Sequence, residues 1–103
     1  MIARKSGQKP AEAAESGALL RAFQGVLEAL RLEAGLSRRA FAERLGIPRS
    51  SYFHLMTAAA NPSLRYIEQI AVRAGVDPIN FLGRIAATEG LRRSALQHAR
   101  SLS

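Results

Sequence analysis

The stretch RLGIPRSSYFHLM, residues 44–56, sets Arg49, Ser50, Phe53 and His54 among apolar residues just after a glycine and a proline. At about 100° per residue, those four and Thr57 span less than half of a helix circumference, while Pro48, Ser51, Tyr52 and Leu55 occupy the other side. A cation, a hydroxyl, an apolar disc and a titratable ring along one edge are groups that can read base edges in a groove. The Arg49 guanidinium can bond O6 and N7 of guanine together, Ser50 and His54 can bond base edges, and Phe53 can cover a thymine methyl. Plainer roles stay open: a phosphate contact or solvated charge for Arg49, a capping hydroxyl for Ser50, a solvated ring for His54. Phe53 is otherwise an exposed aromatic packed along Met56 or against a partner. Ser37, Arg38 and Arg39, at the start of the preceding helix, suit a phosphate, because backbone N–H groups and the helix dipole there already favour an anion; a solvated charge is the alternative. Ser51 joins them as a candidate phosphate contact.

Other chemistries find little support. The two histidines, His54 and His98, lie on separate elements without a neighbouring acid to orient them as bases for a serine or tyrosine nucleophile. Cysteine is absent, as are HxxxH spacing and a carboxylate cluster, so no metal, cofactor or disulfide is expected. Neither GxGxxG nor GxxxxGK[ST] occurs. An enzyme is not expected.

The elements that must position the polar edge follow from periodicity. Leu20, Phe23, Leu27 and Leu30 mark an amphipathic helix over 17–34 that Gly35 stops. Ser37 caps a second helix of about two turns, with Phe41, Ala42 and Leu45 inward and Gly46 at its end. Pro48 suits the first position of a third helix running through Met56, with an extension to Asn61 left open by three alanines. Ser63 caps a fourth, bearing Tyr66, Ile67, Ile70 and Ala74 and ending at Gly75. Asp77 and Pro78 start a fifth, bearing Ile79, Leu82 and Ile85, and the run after Gly90 offers a sixth, frayed helix. The expected class is all-α, a compact bundle of about five helices.

With 103 residues and 48% hydrophobic content, the chain is one domain's worth. Fifteen basic residues, 13 of them Arg, against 8 acids give a net charge of +7, which favours a polyanionic partner, nucleic acid above all. No apolar run reaches the length of a membrane span, and MIARKSGQKP lacks the hydrophobic stretch of a signal peptide, so a cytoplasmic location and no membrane partner are expected. Residues 1–16 hold Arg4, Lys5 and Lys9 but no large apolar residue after Ile2; they read as a flexible basic arm, or as the start of a longer first helix at Pro10. The domain then occupies 17–88, and 89–103 is a tail or short helix that offers a dimer contact.

Two short helices joined by a tight glycine turn, with the GLS run before them and NPSL and AGVDPINFL after them, resemble the Cro and lambda-repressor type of helix-turn-helix DNA-binding domain. The resemblance runs from Leu27 to Leu82 and includes the position of Arg31, Ala42 at the helix crossing and Gly46 in the turn. It implies a third helix lying in the major groove of double-stranded DNA, its N-terminal part against the bases. This chain has Arg38 where the family often has a phosphate-touching Gln, and Met56 where it often has a Glu paired with the arginine at the position of Arg31. Ala58 stands where Gly is usual, and Ala59 and Ala60 stand where basic residues are usual. The function so implied is a sequence-specific transcriptional regulator, a repressor bound as a homodimer to a two-fold operator, of bacterial or phage origin. The alternative is an antitoxin-like or other protein-binding module whose DNA binding is secondary. Deleting residues 1–16 should weaken DNA binding and flatten the dependence of log K on log salt, because fewer counterions are released; an unchanged slope would remove the arm from the interface.

Overall fold

The computed structural model describes residues 17–102, with side chains described through residue 90. Among these residues the fold is five helices and no strand: α1 Ala18–Ala34, α2 Arg38–Leu45, α3 Arg49–Leu55, α4 Leu64–Arg73 and α5 Pro78–Leu102. The expected arm, residues 1–16, lies outside the described residues.

Three helix starts are capped as their sequences require. Ser37 Oγ accepts from Ala40 N at 3.1 Å, Ser63 Oγ from Tyr66 N at 3.0 Å, and Asp77 Oδ2 from the amides of Ile79 and Asn80, both at 3.1 Å. The turn between α2 and α3 depends on Gly46 at φ 72°, a left-handed conformation that side chains resist. There Gly46 N donates to Glu43 O at 3.0 Å and Ile47 N to Ala42 O at 3.1 Å. A side chain at Gly46 would also place its Cβ 2.6 Å from the Arg73 guanidinium, which donates to Leu45 O at 3.0 Å. Arg73 thus ties α4 to the end of α2.

The core gathers one face from each helix. Phe23, Val26 and Leu27 of α1 meet Phe41 and Leu45 of α2, Tyr52 and Leu55 of α3, Ile70 of α4, and Phe81 and Ile85 of α5. The rings interlock edge to face, Phe23 with Phe81 at 5.8 Å and Phe41 with Tyr52 at 6.1 Å between centroids. With its ring sealed in this core, Tyr52 fixes which edge of α3 faces out.

Several expectations need correction. The third helix begins at Arg49, because Pro48 has extended backbone (ψ 151°) and serves as the N-cap residue instead of the first helical one. It also stops at Leu55 without extending to Asn61. The fifth and sixth helices are one, since Gly90 is not among the described glycines with positive φ. A glycine with ordinary helical angles costs about 1 kcal/mol relative to alanine, too little by itself to end a helix. On α5 the buried pair is Phe81 and Ile85, one turn apart, while Ile79 and Leu82 are 72% and 42% exposed.

Candidate nucleic-acid interface

Helix α3 projects Arg49, Ser50, Phe53 and His54 outward; all four are exposed, while Tyr52 and Leu55 are buried behind them. Phe53 is not a loose aromatic, for its ring packs edgewise on Tyr52 at 6.1 Å, which continues the Phe41–Tyr52 pair from core to surface. Ser50, Ser51 and His54 form one wall of an open cleft of about 700 Å³, with Asn61, Pro62, Ser63 and Tyr66 opposite. Ser51 is half-buried on that wall.

At the start of α2, Ser37, Arg38 and Arg39 are exposed. The Ser37 hydroxyl serves the amide of Ala40, and helix geometry leaves the amides of Arg38 and Arg39 without intrahelical acceptors. None of the five helices carries an acidic residue in its first turn. Instead α2 opens on Arg38 and Arg39, α3 on Arg49, and α4 has Arg65 as its second residue. A cation there opposes the helix dipole, typically by 0.3–1 kcal/mol. Arginine at three helix starts therefore concentrates positive potential where backbone dipoles are positive already, an arrangement suited to phosphate. Arg65 is the residue of this set that periodicity alone did not mark, although its place two residues after the capping Ser63 was a usable signal.

Three long side chains hold the ends of the two central helices. Arg31 of α1 donates to Leu36 O at 2.8 Å and forms an ion pair with Glu28, so its partner lies on its own helix and not at the position of Met56. The Arg31 hydrogen bond holds the Glu28 carboxyl below its usual range. Burial pushes the Tyr52 phenol up, with Glu28 acting in the same sense and Arg31 and Arg38 against it. Arg73 holds the end of α2, and Gln24 of α1 holds the end of α3: its Nε2 donates to Leu55 O at 3.0 Å and to Thr57 O at 2.9 Å.

A family profile for the helix-turn-helix domain matches residues 22–80, from the second turn of α1 into the first turn of α5. Among solved structures, the fold is similar to the clp gene regulator ClgR from Corynebacterium glutamicum, with a TM-score of 0.69 at 20% identity over 82% of this chain and 89% of that one. No curated protein matches the sequence. No described helix is long and apolar enough to cross a membrane. The profile spans more than half of the chain and encloses α2, the Gly46 turn and α3, and the chain belongs to the helix-turn-helix family of DNA-binding domains.

Proposed function

We propose that the protein is a sequence-specific transcriptional regulator, a repressor that occupies a two-fold operator as a homodimer and thereby excludes polymerase from the promoter. The observation that carries the reading is the α3 edge: four exposed side chains of base-reading type on a helix whose opposite edge is locked into the core. Arg49, Ser50, Phe53 and His54 contact bases, with Arg49 on a guanine. Ser37, Arg38, Arg39 and Ser51 contact phosphates, and Arg65 extends that set; these hold the domain in register without reading sequence. Selection of duplexes from a random-sequence pool tests the reading: an enriched palindromic motif supports it, and no enrichment at low salt overturns it.

The homodimer rests on an apolar face beside the DNA-facing cleft. Among the described residues, Leu19, Leu64, Ile79 and Leu82 are exposed and line two adjoining grooves of about 200 and 240 Å³. Ala60, Asn61 and Pro62 line both the first of these grooves and the cleft along α3, so a second copy seated here would lie beside the DNA-facing cleft. The need for a second copy is physical, since one short helix reaches only a few base pairs and each mismatch costs about 1–3 kcal/mol. We place the continuation of this contact along the C-terminal part of α5, which runs to Leu102; the side chains beyond residue 90 lie outside the described residues. Ile79→Glu should raise the dimer dissociation constant at least about tenfold by sedimentation, with the melting temperature of the monomer, read at concentrations too low for dimer, nearly unchanged, because the site is exposed and an acid in a first helical turn is favoured. The same face suits an antitoxin-like role with a different protein partner; a wild-type protein that stays monomeric at high concentration would favour that second reading.

A further inference from the structure

We propose that Gln24, on α1, sets where the DNA-facing helix α3 ends, and so shapes the wall of the cleft opposite His54. The inference about the helix stands on the hydrogen bonds; its consequence for discrimination rests on the DNA-reading role proposed above.

The segment after α3 has a strong local reason to stay helical, opposed only by the Thr57 hydroxyl and by Asn61 standing before Pro62. Three alanines occupy 58–60, and alanine is the best helix former. Continuing α3 to Asn61 would require Ala58 N to reach His54 O, Ala59 N to reach Leu55 O, and Asn61 N to reach Thr57 O, the regular i to i−4 pattern. Each of those three carbonyls already has another donor. His54 O accepts from Thr57 Oγ1 at 2.7 Å and from Thr57 N at 3.0 Å. Leu55 O and Thr57 O accept from Gln24 Nε2, and Thr57 O also takes Ala60 N at 3.2 Å. Ala59 N turns to Thr57 Oγ1 at 3.3 Å.

A primary amide is the group for this task. It offers two N–H donors on one nitrogen, diverging as the two carbonyls do, and it carries no charge into a half-buried position. Gln24 comes from α1, where nearby Phe23 and Val26 are core residues, so the stop is referenced to a helix anchored in the core. By ending α3 after two turns, it turns the chain so that Asn61, Pro62 and Ser63 face Ser50 and His54 across the cleft. Gln24 is thus a positioning residue: it acts on bound DNA only through the backbone that it holds.

The test compares wild type with Gln24→Met, which keeps length and removes the donors, and Gln24→Lys, which restores them. In the methionine variant, backbone carbon chemical shifts of residues 56–61 should move towards helical values, and the ratio of affinities for the selected duplex and its scrambled version should fall about tenfold, while affinity for the scrambled duplex holds. The lysine variant should return both quantities towards wild type. In wild type, the Gln24 side-chain amide protons should exchange more slowly than those of Gln69, which lies on an exposed position of α4. Unchanged shifts at 56–61 in the methionine variant, or Gln24 amide protons exchanging as fast as those of Gln69, would overturn the stop. Helical shifts with an unchanged affinity ratio would overturn its role in discrimination. If wild type enriches no duplex, the DNA-reading proposal fails, and the shifts still decide the stop. Were Gln24→Met not to fold, Gln24→Asn, one methylene too short for the carbonyls, carries the same expectations.

Discussion

Tyr52→Ala is expected to cost about 3–5 kcal/mol, as large aromatic truncations in cores do, and to leave little folded protein at 37 °C. Tyr52 has no exposed surface and sits between Phe41 and the outward-facing Phe53. The cavity would open beneath the α3 edge, where a short helix has few other anchors. A domain of this size has a total stability near the low end of about 5–15 kcal/mol, so the loss is most of what there is. In thermal unfolding followed by circular dichroism, the midpoint should fall by roughly 15 °C or more. Tyr52→Phe should behave in the opposite sense. The Tyr52 hydroxyl is buried without a hydrogen-bond partner among the described residues, and removing it relieves a desolvated polar group. Equal or slightly greater stability is expected for that variant; a loss above about 1 kcal/mol would mean that the hydroxyl holds a bound water.

The same helix marks the boundary between what the sequence announces and what it hides. Ser37, Gly46, Ser63 and the Asp77–Pro78 pair announce their ends because caps and left-handed glycines are local events, complete within a few residues. The inward placement of Tyr52 and Leu55 is equally legible, since helical periodicity alone puts them opposite Arg49 and Phe53. The end of α3 is different. It depends on a side chain 31 residues away donating to backbone carbonyls, and such a bond leaves no periodic trace. The α5 face was obscured for a related reason: Ile79, Leu82 and Ile85 read as one stripe, yet edge-to-face packing of Phe81 on Phe23 rotates the helix so that only Ile85 of the three is buried. Gly90 misled because a glycine signals a stop only where the backbone takes a positive φ, which the neighbouring sequence does not encode.

Arg49 and Arg38 offer the sharpest separation of reading from holding, because they share a local setting. Each is the first residue of its helix, each is exposed, and each faces a helix dipole that disfavours it. Replacing either by alanine should therefore leave the fold intact or raise its melting temperature slightly, since alanine is also the better helix former. Binding should fail in two distinct ways. If Arg49 makes the proposed bidentate contact to guanine, Arg49→Ala should cost about 1–3 kcal/mol at the selected site and relax preference at one base pair, with little loss on scrambled DNA beyond the charge. Arg38→Ala should weaken selected and scrambled duplexes by similar factors and reduce the slope of log K against log salt by roughly 1. Equal, sequence-blind losses from both substitutions would make Arg49 a second phosphate anchor and shift base reading to Ser50, Phe53 and His54. A stabilised fold that has lost discrimination is the informative combination: it would mean that arginine stands at these helix starts against the local electrostatics of folding, held there by the polyanion that it meets.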